Sequence, residues 1–216
     1  MKKKYIVLLS SISLILLFVL GVYIYRNHQI KKYGFMAQKN AAIFVREYSQ
    51  TLGSDDAKVF LVKFTDPGCE TCSKFHPFVK KLMAIYQNKI KLVIRYAPFH
   101  KGADDMVKIL EAARKQGKYW ETLEVMYETQ RYWASHRDPQ PQRIWEFLPK
   151  AGLDLEKIRT DMSDPEIEKI IKQDLADAKT LNVRKTPGFF VNGRPLPSFG
   201  YNQLREVVES EIIANY

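Results

Sequence analysis

Cys69 and Cys72 are the only thiols in a chain of 216 residues. They stand three positions apart in "FTDPGCETCSKFHPF" (64–78), a spacing that suits redox chemistry when a helix begins at the first of them. A sulfur at a helix N-terminus meets unpaired backbone N–H groups and the positive end of the helix dipole, and both favour its thiolate. A partner three residues on lies one turn behind, close enough to attack a mixed disulfide and release the product. Cys69 is therefore expected to be the exposed, attacking sulfur and Cys72 the more buried, resolving one. Two other chemistries compete for the same residues. A metal site, for copper or zinc, would use Cys69, Cys72 and His76, but three ligands fall short of the tetrahedral set of a closed structural site. His100 could complete that set only by folding close. A purely structural disulfide is weaker still, because closing so short a loop removes little entropy from the unfolded chain.

The flanking elements decide whether the pair is presented for chemistry. "VFLVKF" (Val59 to Phe64) is β-rich and reads as a buried strand, which "TDPG" breaks. From Cys69 to Ile85 the spacing is helical, with Cys72, Phe75, Val79, Leu82 and Met83 on one apolar face. "IKLVIRYAPF" (Ile90 to Phe99) is a second strand. Strand, helix and strand in so short a span make a βαβ unit, whose natural outcome is a parallel sheet. Cys-x-x-Cys beside such a unit is a redox signature. Residues from Gly102 to Asn182 read as helical throughout. "KYWETLEVMYETQRYW" keeps Trp120, Leu123, Tyr127 and Gln130 or Arg131 in register, and Asp164 caps a helix that starts at Pro165. Their aromatics read as core rather than as a cofactor box. Strands return in "TPGFFVNGRPLPSF", where Asn192-Gly193 favours a tight hairpin turn, and "NQLREVVESEII" closes the chain as a helix. With 46% apolar and 12% aromatic residues, the chain has enough to bury a core and does not read as disordered.

These segments together resemble the DsbA-type branch of the thioredoxin superfamily of thiol–disulfide oxidoreductases. The likeness is carried by the strand running into Cys69-Glu70-Thr71-Cys72, by "KFHPF" behind it, by "QGKYWETLEVMYE" and by "TPGFFVNGR". It covers about residues 57–214. It implies an α/β, thioredoxin-like fold in two parts, 57–101 and 183–216, with an inserted helical domain, 102–182, between them. It implies catalysis by Cys69 and Cys72, with Pro77 as the proline that bends the active-site helix. Thr186-Pro187 matches the family's cis-proline pair, which lies against the cysteines and offers backbone to an extended substrate strand. No cofactor or metal is expected, and the partners implied are cysteine-bearing proteins and a membrane redox partner that recycles the pair.

The redox direction depends on residues that depart from the family pattern. Glu70 and Thr71 stand where oxidising members commonly carry Pro-His, and a carboxylate beside Cys69 should disfavour its thiolate. Lys63 stands six residues before Cys69, where relatives often have an acid under the cysteines. Pointing inward, its ammonium would stabilise a thiolate or assist proton transfer from Cys72; pointing outward, it would be a solvated strand-end lysine. Glu70 and Lys63 pull in opposite directions. An oxidase is favoured over a reductase or isomerase, because isomerases of the superfamily dimerise through a dedicated N-terminal domain and residues 35–56 are short for one.

The N-terminus bears on compartment. Tyr5 to Tyr25 is a run of 21 residues without a charge, and about twenty apolar residues in a helix span roughly 30 Å of hydrocarbon. Tyr5, Tyr23 and Tyr25 mark its ends as interfacial aromatics do. Residues 1–34 are therefore expected to be an uncleaved single-pass anchor of the inner membrane with its flanks. A cleaved signal peptide, cut near Val19 or Gly21, is the alternative. Either sends the catalytic part to the periplasm or extracytoplasmic space, where disulfide exchange runs to completion. Lys2 to Lys4 and Arg26, Lys31 and Lys32 nearly balance, so charge alone does not orient the span. Residues 35–56 read as a helical spacer. The net charge of +10 falls to +4 once residues 1–34 are set aside, which describes a solvated helical surface and argues against nucleic-acid binding.

Overall fold

The computed structural model describes residues 11–21, 24, 41–135 and 137–216. In chain order its elements are α1 (residues 11–21), α2 (Ala41–Phe44), β1 (Gln50–Leu52), β2 (Val59–Thr65), α3 (Glu70–Ile85), β3 (Ile90–Tyr96), α4 (Ala103–Lys115) and α5 (Tyr119–Trp133). Two 3-10 segments (Pro141–Glu146 and Leu148–Ala151) lead to α6 (Leu155–Asp161), α7 (Pro165–Thr180), β4 (Gly188–Val191), β5 (Arg194–Pro195) and α8 (Tyr201–Asn215).

The expected βαβ unit forms, with β2 and β3 paired in parallel from Val59 opposite Ile90 to Thr65 opposite Tyr96. The sheet as a whole is mixed, in the order β1-β3-β2-β4-β5, because β1 joins β3 and β4 joins β2 in the antiparallel sense. Side chains alternate between the faces of a strand. Val59, Leu61, Leu92 and Ile94 therefore pack on one side with Cys72, Phe75, Val79 and Leu82 of α3 and Leu204 and Val208 of α8. Val62, Phe64 and Val93 pack on the other with Phe44 of α2 and Ala178 of α7. The α3 stripe at helical spacing holds that helix on the sheet, and trimming Leu82 to Ala would cost about 2–5 kcal/mol.

Local signals act where the sequence puts them. Asn192 (φ 48°) and Gly193 (φ 77°) both adopt the left-handed conformation a tight hairpin needs, and they join β4 to β5. The Asp164 carboxylate accepts from the Glu166 N–H at 2.9 Å and caps α7, with Pro165 next.

The spacer expectation is corrected in part. Residues 35–40 lie outside the described residues and Ala41–Phe44 is a single helical turn. Gln50–Leu52, however, is an edge strand, with Gln50 opposite Ile94 and Leu52 opposite Leu92. A three-residue strand is set by its partner, so pairing with β3 overrides the local helical spacing. The expected anchor, residues 5–25, lies partly outside the described residues. Those described in α1 are helical and exposed, and among the described residues no helix is long and apolar enough to cross a membrane.

Candidate active site

α3 begins immediately after Cys69, which is its N-cap in extended conformation (φ −82°, ψ 118°) and carries no side-chain capping bond. The first turn's N–H groups are thus left to the Cys69 sulfur rather than to a hydroxyl or carboxylate cap. One turn on, Cys72 faces the sheet and is 0% exposed. Both thiols are free, in the reduced form. Cys69 is more covered than the sequence led us to expect, at 6% exposure. The cause is the segment before β4, which folds over it: the Thr186–Pro187 bond is cis, and the Thr186 carbonyl lies 3.2 Å from the Cys69 sulfur, where it accepts from the protonated thiol.

The two sulfurs are driven apart electrostatically. Cys69 is lowered from 9.0 to about 5, chiefly by a hydrogen bond from the Cys72 thiol. Burial opposes this; the Thr186 side chain and the N–H groups of Cys72 and Thr71 add to it. Cys72 is pushed well above its ordinary value, first by burial and then by that same bond, with the Lys63 charge pulling the other way. The two shifts run in opposite directions, favouring the thiolate at Cys69 and the thiol at Cys72.

Lys63 points inward. β2's alternation carries it to the α3 face, where it is 1% exposed and its ammonium lies 3.4 Å from the Cys72 carbonyl and 5.2 Å over the Tyr127 ring. Burial lowers its pKa, against the pull of Cys72, Cys69 and Glu124. Glu70, exposed in the first turn, forms an ion pair with Lys74 at 2.7 Å.

A family profile described as thioredoxin matches residues 46–210. The chain belongs to the thioredoxin family. Within it the likeness is to DsbA-type thiol–disulfide oxidoreductases, as the motifs implied. A probable disulfide bond formation protein D of Bacillus anthracis is 27% identical over 210 residues, covering 93% of each chain. A thioredoxin-like oxidoreductase of known structure from Silicibacter pomeroyi superposes with a TM-score of 0.69 at 27% identity, over 79% of this chain and 96% of that one. A Na(+)/H(+) antiporter NhaA of Herminiimonas arsenicoxydans is 29% identical over 150 residues, 69% of this chain, and the matched part is only 23% of the antiporter.

Of the residues expected at the site, Lys63, Thr71 and Thr186 are brought to the cysteines, and Pro187 follows Thr186 across the cis bond. His76 is turned to another purpose. Its Nε2 meets Glu124 at 2.9 Å, beside Lys80 on the same carboxylate, and its ring packs against Tyr127. Burial lowers the His76 pKa despite Glu124. His100 lies against Asp66 at 2.7 Å. Among the described residues, no three of His, Cys, Asp and Glu come together as metal ligands would.

Two further residues hold the loop, and sequence reasoning missed their part. Asp66, fully buried, accepts from the N–H groups of Gly68, Phe99 and His100 at 2.7, 2.7 and 2.9 Å. The Asp-Pro-Gly turn was its signal, since Asp favours local bonds two residues on. Gln130 of α5 reaches the carbonyls of Pro67 and Cys69 at 2.7 and 3.1 Å; nothing local marks it beyond its place on the buried face of a helix.

Proposed function

We propose that this chain is a membrane-tethered, extracytoplasmic thiol–disulfide oxidoreductase that works in the oxidising direction on cysteine-bearing proteins. One observation carries it: the Cys69 sulfur caps α3 beside the cis Thr186–Pro187 bond with Cys72 one turn behind it, an arrangement that lowers the Cys69 pKa and raises that of Cys72. In the oxidised enzyme a substrate thiolate attacks the Cys69 sulfur. The Cys69–Cys72 bond breaks and Cys72 leaves as a thiolate, which takes a proton from the Lys63 ammonium. A second substrate thiolate then attacks the substrate sulfur of the mixed disulfide, and Cys69 departs as the stabilised anion. Two electrons pass to the pair, and a membrane redox partner removes them. Thr186 and Pro187 hold the substrate strand at the sulfur, with the Thr186 backbone as its ladder partner.

A more stable leaving thiolate makes the disulfide easier to reduce, hence a stronger oxidant. The Cys69 pKa is shifted in that direction, downward from the ordinary thiol value. Tethering by residues 5–25 is supported by the uncharged run itself and by the exposed apolar side chains of α1, such as Leu14 and Phe18. The domain plan of a two-part core interrupted by residues 102–182 is supported by α4 to α6 standing between β3 and the helix that returns to the sheet.

Equilibration with glutathione tests the direction. A potential nearer about −120 mV than about −270 mV is expected, and the thioredoxin end of that range would sink the oxidase reading. In a Cys72→Ala variant, substrates and the recycling partner should both be trapped as mixed disulfides on Cys69.

A further inference from the structure

Cys69 is held by peptide groups on either side of it, and these reach two different parts of the molecule. Asp66 ties the preceding turn to the residues after β3, and its backbone carbonyl accepts the Cys69 N–H at 3.0 Å. On the opposite side stands α5, which follows the sheet strand by more than twenty residues. Gln130 is buried at 6% exposure and spends both amide N–H groups on the loop, one on the Pro67 carbonyl at 2.7 Å and one on the Cys69 carbonyl at 3.1 Å. Three residues earlier, Tyr127 accepts from the Ser73 hydroxyl at 3.4 Å through its carbonyl and pairs its own hydroxyl with Thr65 at 2.8 Å.

We propose that Gln130 is a positioning residue of disulfide exchange, through which the helices between β3 and β4 hold the Cys69 sulfur against the first turn of α3. The Cys69 carbonyl also accepts the first intrahelical bond, from the Ser73 N–H at 3.2 Å. Its orientation therefore fixes how the Thr71 and Cys72 N–H groups meet the sulfur. Carbonyl oxygens are the negative ends of their dipoles. Bonded to Gln130, those of Pro67 and Cys69 are neutralised; released, they would leave buried acceptors unpaired and raise the energy of an adjacent anion. Among uncharged side chains, an amide supplies two N–H donors from one atom without placing a charge beside the sulfur. A carboxylate in the same shape supplies none, and an aliphatic chain neither donor nor dipole.

The inference rests on the reading of Cys69 as the ionised, attacking sulfur, and one experiment separates the two. The Cys69 thiolate is titrated by its absorbance at 240 nm in the reduced protein and in Gln130→Met, which keeps the bulk and removes the donors. Thiol exchange with a disulfide-bonded peptide is timed on both. The variant should show a midpoint about one unit higher, a tenfold loss of thiolate on the acid side. A wild-type midpoint at the ordinary value would sink the enzyme reading itself. A low wild-type midpoint that Gln130→Met leaves unmoved overturns only the role of Gln130. A variant that fails to fold is replaced by a measurement on the native chain. With 15N-labelled glutamine, the Gln130 side-chain amide protons should shift between reduced and oxidised forms and titrate with the Cys69 midpoint. Resonances indifferent to both overturn the proposal.

Discussion

Lys63 and Arg95 are two buried cations on neighbouring strands, and they are treated in opposite ways. In the β2–β3 register Arg95 stands beside Phe64, one step from Lys63, so strand alternation sends the two charges to opposite faces. Arg95, 0% exposed, meets Asp174 and Asp177 at 2.6 Å each and donates to the Ile43 carbonyl. Arg46 and Tyr48 brace the same carboxylates from outside at 2.8 and 2.6 Å. Burial would lower the Arg95 pKa, but the two aspartates outweigh it and the pKa rises. Lys63 has no carboxylate within ion-pair distance among the described residues, and burial lowers its pKa. A buried charge compensated on all sides holds elements together. One left without a counter-ion, as Lys63 is beside Cys72, is what the proposed exchange would draw on when the disulfide opens.

Removing each cation should therefore break different things. Arg95→Met would leave two buried carboxylates against a neutral side chain, and losing one partner of such a network costs about 3–5 kcal/mol. Urea denaturation should show that loss, while the folded fraction keeps the Cys69 midpoint. A variant as stable as the parent would end the comparison. Lys63→Met should do the reverse. A buried cation without a counter-ion is a cost to folding, so stability should hold within about 1 kcal/mol or improve. Without the proton donor for the departing Cys72 thiolate, opening of the disulfide by a substrate thiol should slow roughly 100-fold. Stopped-flow rates unchanged from the parent would leave Lys63 as mere filling.

A pH series sharpens the same contrast. The Cys69 pKa is lowered from 9.0 to about 5 on folding. The stability it contributes is thus complete above pH 9.0, and it is lost as pH falls through about 5. Cys72 is shifted upward, so its contribution declines only as pH climbs past the ordinary thiol value. The disulfide form has neither titration. The reduced form should therefore gain on the oxidised form by up to about 1.4 kcal/mol per pH unit between those limits. Equal slopes for the two forms in denaturation at pH 5, 6.5 and 8 would show that Cys69 is not ionised in the fold.

What could be read in the sequence was whatever depends on neighbours. The α3 stripe, the Asp164 cap and the Asn192-Gly193 turn each follow from residues within a few positions of one another, the βαβ unit from three segments consecutive in the chain, and all four formed. Lys63 was legible as a question of strand phase, and the buried phase won because the α3 face covers it. The rest depends on partners far along the chain. β1 exists only because β3 pairs with it. The cover over Cys69 comes from Thr186, and Gln130 and Asp177 act across the fold on groups that no local pattern could assign to them. Charge was the least legible quantity. Both Lys63 and Arg95 lie in apolar strands, and only the folded positions of Asp174 and Asp177 tell which one is neutralised.

Glu70 supplies the smallest effect and a third case for the comparison. Its position beside Cys69 led us to expect a like-charge penalty on the thiolate. In the fold its carboxylate reaches one turn forward along α3 to Lys74 at 2.7 Å, with more than half of each side chain exposed. An exposed pair one turn apart is screened by water, and its two charges largely cancel at the distance of the sulfur. The carboxylate also sits in the first turn of a helix, where the dipole favours it. Glu70→Gln should accordingly move the Cys69 midpoint by less than about half a unit, far less than Gln130→Met. Lys74→Gln, which strips the compensating charge and leaves the carboxylate, should raise that midpoint more than Glu70→Gln lowers it. Should Glu70→Gln instead drop the midpoint by a full unit in 0.15 M salt, the surface pair would be tuning the couple directly. The division between a neutralised charge that only builds structure and an uncompensated one that does chemistry would then not extend to the rim of this site.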